Sequence, residues 1–274
     1  MRSKKVANVF LYGFLGIFLL IALLPVIWVI TSSFKTSTQI FQGVLIPERW
    51  VTSNYPGAWA RGNIGRVMAN SLIVTLATVA LGSAIDVLAG YSFAKLALKK
   101  HNWIFYLFLL GLAVPLEANV FSIFLQIRQL GLVNTHSGLV LALVGTGTAF
   151  GTFLMRNFFK DISDSFGESA KIDGASEFTI FFRVYLPMAA PAIGALAVFK
   201  ALQAWNEYNL SLFLLTNQRK WTIPLATATF RSIEMSNYGF VFASAVMSFL
   251  PIVIFYIIFN RSFVSGIALG GEKG

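Results

Sequence analysis

The chain has 274 residues, 57% of them hydrophobic and only 12% charged, with a mean hydropathy of +0.73. Soluble domains carry about 25% charged residues, so an ordinary globule and a disordered tail are excluded, and the formal charge of +10 has to be read against a membrane before any nucleic acid. The lack of cysteine removes disulfides, thiolate nucleophiles and thiolate zinc sites.

The first apolar run covers residues 6–30, with no charge between Lys5 and Lys35. It is too long for the apolar core of a cleaved signal, roughly 7 to 15 residues, and Ile30 to Phe34 lack the small-residue cleavage pattern, so it is expected to remain as a spanning helix. Further spans are expected over residues 67–93, 103–126, 136–157, 186–216 and 238–259. A crossing takes roughly 20 residues as helix, so six use about 120 and leave only short connections. Residues 1–274 therefore read as one membrane domain. Membrane strands would need alternating apolar and polar residues, which runs such as 104–114 lack.

Orientation follows from lysine and arginine in the loops. One side receives twelve, from Arg2 to Lys273, and the other eight, while Lys200 falls inside the fifth span. Both termini are expected in the cytoplasm, the positive charge reads as a topology signal, and no nucleic-acid partner is expected.

The cytoplasmic loop 160–185 carries helical signals. Ser165 and Glu168 have the spacing of a capping box, and a helix from there should end near Asp173-Gly174, because glycine accepts the left-handed conformation common at helix C-termini. Ser176 can cap a second helix whose Phe178, Phe181, Phe182 and Tyr185 recur at helical spacing. Pro187 suits a first turn, whereas Pro191 lies beyond it and is expected to bend the helix. A partner that pushes this element would move the fourth and fifth spans together.

Three carboxylates, Asp86, Glu117 and Glu207, fall inside spans, where each costs roughly 2.5 to 3.5 kcal/mol on insertion scales and so faces protein or water. Trp205, Asn206, Glu207 and Tyr208 combine amide, carboxylate and aromatic groups suited to a sugar's hydroxyls and apolar ring faces, and with Glu117 they are the candidate solute pathway. For Asp86 and Glu207 a buried bridge between helices stands as the other reading, and for Glu117 a bend beside Pro115. Gly145, Gly147 and Gly151 read as close helix packing, since no lysine follows at phosphate-loop spacing. His101 and His136 are isolated, and no catalytic constellation is visible.

The run Glu168-Ser169-Ala170-Lys171-Ile172-Asp173-Gly174-Ala175, followed by Phe182-Arg183-Val184-Tyr185-Leu186-Pro187, resembles the EAA loop of ABC importer permeases, with Ser169 and Val184 departing from its usual alanine and isoleucine. Asn70-Ser71-Leu72, Gly90-Tyr91-Ser92-Phe93-Ala94-Lys95, Gly131-Leu132-Val133-Asn134-Thr135, Trp205 to Tyr208, Thr222-Ile223-Pro224-Leu225 and the glycine-rich tail from Phe263 are similar to the carbohydrate-uptake branch, and the tail to the shorter of its two paired permeases. Ala268, Glu272 and Ser122 depart from that pattern.

The resemblance implies an all-α integral membrane protein of six transmembrane helices with the type I ABC importer permease fold, in a bacterial-type inner membrane. It implies docking of an ATP-binding subunit dimer through Glu168, Ser169, Ala170, Asp173, Gly174 and Ala175, with a tail contact at Gly266, Gly270 and Lys273. A paralogous permease, an extracytoplasmic solute-binding protein and membrane lipid are the further partners. No catalytic site, cofactor or metal is expected on this chain, ATP and magnesium belonging to the ATPase, and the cargo is expected to be a sugar or related polar solute. The alternatives are an ion-gradient-driven secondary transporter working through Asp86, Glu117 or Glu207, and an integral-membrane enzyme.

Overall fold

The computed structural model describes residues 2–233 and 237–271, and every regular element among them is a helix. In chain order these are α1 (Arg2–Ser32), α2 (Ser37–Phe41), α3 (Asn54–Arg61), α4 (Ile64–Lys95), α5 (Asn102–Leu109), α6 (Leu116–Gln129) and α7 (His136–Asp161). There follow α8 (Ser165–Ile172), α9 (Glu177–Ile180), α10 (Leu186–Met188), α11 (Ala190–Trp205), α12 (Asn209–Leu214), α13 (Ile223–Ile233) and α14 (Tyr238–Gly271). Among the described residues four helices are long and apolar enough to cross a membrane, or up to six crossings if each of two bent helix pairs counts once. The residues group into two compact units, Met1–Gly65 with Ala226–Leu250, and Arg66–Leu225 with Pro251–Gly274.

In the first unit, α1 leaves its apolar side chains exposed from Leu11 to Ile30, which suits a helix surrounded by lipid. Beyond its end the chain folds tightly around Lys35. Its fully buried ammonium donates to the Val44 carbonyl at 2.7 Å and to Thr31 Oγ1 at 3.3 Å, which supplies the acceptors a buried cation needs. Asn54 Nδ2 donates to the carbonyls of Ser33 and Lys35, each at 2.9 Å. Gly239 fits against this knot because a Cβ there would meet both Asn54 and the Lys35 carbonyl at 2.5 Å.

In the second unit, two apolar cores organise α4, α6, α7, α11 and α12. One gathers Leu139, Leu143, Leu210 and Leu214, the other Tyr91, Met155, Phe159, Phe181 and Leu196. Gly90 brings α4 close to α7, since a Cβ there would stand 2.6 Å from that of Met155.

The expected third span, 103–126, is not one helix. Asn102–Ala113 and Leu116–Gln129 meet at 104°, because Pro115 has no N–H to continue the ladder and holds Val114 extended. The expected fifth span, 186–216, is also divided. Glu177–Met188 and Ala190–Trp205 meet at 73°, so Pro191 stands in the first turn of α11 instead of bending a helix interior. A second break follows at Asn206, after which α12 restarts at Asn209.

Motifs distant in sequence are tied at one end of this unit. Asn70 Nδ2 donates to the carbonyls of Arg219 and Trp221, each at 2.9 Å, and Ser71 Oγ accepts the Ile223 amide at 2.8 Å. Gly131 and Asn134 take positive φ of 70° and 58° in the turn before α7. Asn134 donates its amide to Leu214 and accepts the Asn217 amide, while Thr135 caps α7 by accepting from Gly138.

Candidate functional site

The segment between α7 and α11 forms a helical element anchored to α4. Its first helix starts differently from expectation: Asp164, not Ser165, is the N-cap residue, and the Ser165–Glu168 capping box does not form. The Asp164 carboxylate is instead taken by Lys95 and Lys99, at 2.5 and 2.6 Å. These bonds, the Lys95 one foremost, hold the acid down to about 2. Ser163 Oγ accepts the Ser165 amide.

The end of the element follows the sequence reading. Gly174 takes φ +81°, and Ser176 Oγ accepts the Thr179 amide to cap α9. From Phe181 to Tyr185 the helix widens into a π turn. Phe181 and Tyr185 pack with tilted rings against Tyr91 of α4, centroids 4.8 and 5.3 Å apart, and Tyr91 meets Phe159 of α7 at 5.6 Å. Gly167 presses on the Tyr185 ring, where a Cβ would stand 2.6 Å from the hydroxyl. The element is thus fastened to α4 as well as to the spans adjoining it in sequence.

Glu168, Ser169, Asp173 and Gly174 are exposed, while Ala170 and Ala175 pack against the aromatic core. Phe166, Ile172, Phe178 and Phe182 are exposed, Ile172 by 86%. A pocket of about 150 Å³ lies between this helical element and α4, lined by Lys95, Asp164, Glu168, Lys171 and Tyr185 among others. Of the expected tail residues, Gly266 and Gly270 fall within α14, and Lys273 lies outside the described residues.

A second concavity, about 360 Å³, opens where α6, α7 and α11 meet. Its polar lining is Asn119, Ser122, Gln126, Thr146 and Gln203, all uncharged, beside Leu116, Ile123 and glycine. Trp205, Asn206, Glu207, Tyr208 and Glu117 are not among its lining residues. Trp205 is buried, and Glu207 turns inward, where Oε1 accepts the Leu210 amide at 2.6 Å and caps α12. Asn206, Tyr208 and Glu117 are exposed, Glu117 in the first turn of α6. The lining does have a sequence signature, for Asn119, Ser122 and Gln126 are spaced three and four apart and so share one face of a helix.

Asp86 is the bridge that the sequence left open. Its Oδ2 lies 2.7 Å from Lys200 Nζ, the two side chains being 0% and 4% exposed, and so joins α4 to α11. Gly151 is needed there because any Cβ would overlap the Asp86 carboxylate. Among the described residues no group of three or more His, Asp or Glu is arranged to hold a metal.

Residues 86–268 match the family described as the inner membrane component of binding-protein-dependent transport systems. The chain belongs to this family. The permease is 33% identical over 253 residues to the diacetylchitobiose uptake system permease of Streptomyces coelicolor, covering 91% of this chain and 84% of that one. It is 29% identical to the arabinooligosaccharides transport system permease of Halalkalibacterium halodurans, covering 93% and 92%. A solved structure of a bacterial ABC transporter involved in the import of the acidic polysaccharide alginate contains a chain 28% identical to it, with a TM-score of 0.80 and coverage of 96% and 98%. The expected all-α ABC importer permease fold is therefore the one present, and the permease is a membrane subunit of an ABC importer rather than a secondary transporter.

Proposed function

We propose that this permease carries an uncharged sugar or oligosaccharide across the inner membrane through the cleft between α6, α7 and α11. The observation that carries the reading is the lining: amides and hydroxyls of Asn119, Ser122, Gln126, Thr146 and Gln203, with no charged side chain. Such groups donate to and accept from sugar hydroxyls without holding an ion. The names of the diacetylchitobiose and arabinooligosaccharide relatives support the same class.

A paralogous permease is the partner proposed to complete the cleft. A solute-binding protein would deliver the cargo, and both termini would lie in the cytoplasm. ATP and magnesium would be bound by a separate ATPase dimer docked on Glu168, Ser169, Ala170, Asp173, Gly174 and Ala175, with Gly266, Gly270 and Lys273 as a further contact. Exposed Phe166, Ile172 and Phe178 support docking there, since apolar side chains beside charges suit a protein interface. Docking drives transport only if the ATP-bound ATPase prefers one permease state over the other. Trp205 to Tyr208 and Glu117 remain proposed for the approach to the cleft through their exposed members, Asn206, Tyr208 and Glu117.

The test is uptake of labelled oligosaccharides by the reconstituted complex. ATP- and binding-protein-dependent uptake, lowered in Gln126→Leu and Gln203→Leu, is the expected result. Uptake by this chain alone under a proton or sodium gradient defeats the reading.

A further inference from the structure

We infer that the buried Asp86–Lys200 ion pair is a register pin, which fixes α11 against α4 and α7 and so positions Gln203 in the cleft. This rests on the proposed role of the cleft in solute passage.

The helices around the pair meet through glycines. A Cβ at Gly82 would come 2.8 Å from Lys200 Nζ, and one at Gly147 would come 3.2 Å from Gln203 Oε1 and 3.5 Å from Lys200 Nζ. Small residues let helices approach closely inside a membrane, but such packing has little directional preference along the axis. The buried α11 face carries Ala195, Val198, Ala201 and Ala204 together with the larger Leu196 and Trp205. Apolar contacts of this kind resist a slide or a rotation without selecting one register. An ion pair selects one, because its attraction falls steeply once the partners separate in an apolar surrounding.

Stability alone is a poor account of the pair. Two charges carried into a bundle are costly, and apolar residues of similar volume commonly hold a protein together as well or better. What an apolar contact lacks is a single preferred register. Lys200 and Gln203 stand three residues apart on one helix and share a face, and a Cβ at Gly147 would meet both. Holding Lys200 therefore holds Gln203. On the other partner, Asp86 shares α4 with Gly90, Tyr91 and Lys95, which grip α7 and the docking element. The pin thus stands between the docking element and the cleft, on helices that contact both.

The test uses the complete transporter carrying Asp86→Leu with Lys200→Met, two apolar replacements of similar shape. Because the chain has no cysteine, adding Gln203→Cys offers a single thiol whose modification by a water-soluble reagent is read on this subunit, while transport is measured with Gln203 in place. The expected result is a complex that assembles normally, with labelling of the introduced thiol slowed about tenfold and ATP hydrolysed per solute imported raised several-fold. That ratio does not depend on how much protein folds. Labelling and ratio equal to those of the parent overturn the inference, and so does failure of the double variant to assemble, which would make the pair a stabilising contact. If the thiol is labelled in the complex with the pair intact, yet the unaltered complex moves no solute, the transport reading fails instead, because labelling reads register without transport.

Discussion

Lys95, in the last turn of α4, donates to Asp164 at the head of α8 and to the Ile162 carbonyl, each at 2.5 Å. Its side chain is 5% exposed, whereas that of Lys99, the second partner of Asp164, is 52% exposed. The two contacts should therefore differ in strength although their geometry is alike. Removing the buried donor takes away two hydrogen bonds, each contributing about 0.5–1.5 kcal/mol net, while exposed ion pairs contribute roughly 0–1 kcal/mol. Lys95→Met is expected to lower hydrogen-exchange protection across 165–172 about tenfold and to weaken retention of the ATPase, with Lys99→Met changing either by less than about twofold. Equal effects of the two changes would show that burial does not set the strength of this anchor.

The same acid gives a pH dependence. Asp164 is held at about 2 against an ordinary 3.8, by the hydrogen bond from Lys95 first and that from Lys99 second. The folded state thus binds the proton less readily than the unfolded one. Its stabilising contribution is complete above the unfolded value and is lost as pH falls from about 4 to about 2. The carboxylate is half exposed, so solvent screening keeps the effect small. The midpoint difference between the parent and Asp164→Asn in thermal unfolding should be constant from neutral pH to about 4 and close by about 2. A difference that persists unchanged at the lowest pH contradicts the assignment.

Gly174 turns the chain between α8 and α9 at φ +81° with open space around it. Within the chain the demand on this residue is therefore its backbone conformation, and Ala should cost about 1–2 kcal/mol while Asn, which visits this region more readily, should cost less. ATPase retention is expected to rank parent, Gly174→Asn, Gly174→Ala. Equal retention in all three would indicate that the turn is remade without loss.

The four long apolar helices were legible because an apolar run of bilayer length admits one economical reading, and the element between α7 and α11 because its turn glycine and the Ser176 cap act locally; the breaks that divide the third and fifth expected spans were not. The capping box at Ser165 failed because the neighbouring Asp164 takes the N-cap position, held by Lys95 at the end of α4 and Lys99 just beyond it, a long-range contact that local spacing does not register. Asp86 and Lys200 were both conspicuous as charges within spans, yet nothing in linear sequence pairs them. The cleft was missed for a different reason. Attention to charged groups favoured Glu117 and Glu207, while Asn119, Ser122 and Gln126 form an uncharged stripe whose meaning appears only when α7 and α11 are set against it.

Asn70 and Ser71 should serve folding more than transport. Asn70→Ala strands the carbonyls of Arg219 and Trp221, and Ser71→Ala removes the hydroxyl that accepts the Ile223 amide. Each change should lower stability by about 1–3 kcal/mol, with Asn70→Ala the larger because two carbonyls lose their donor. Thermal unfolding of the purified complex measures this, and uptake per folded complex should stay near that of the parent.

Glu207 separates the two roles that its place in a span allows. Its Oε1 caps α12 by accepting the Leu210 amide, a function that needs an oxygen but not a charge. Glu207→Gln can keep that bond, whereas Glu207→Leu removes it and should cost about 0.5–2 kcal/mol, the usual range for a lost cap. Uptake normalised to folded complex should then be nearly unchanged in Glu207→Gln, and the loss in Glu207→Leu should appear in thermal unfolding. Gln203→Leu should behave in the opposite sense, with unfolding little altered and uptake reduced, because that amide lines the cleft. If Glu207→Gln abolishes uptake while α12 stays protected from exchange, the carboxylate itself handles solute and the cap is incidental.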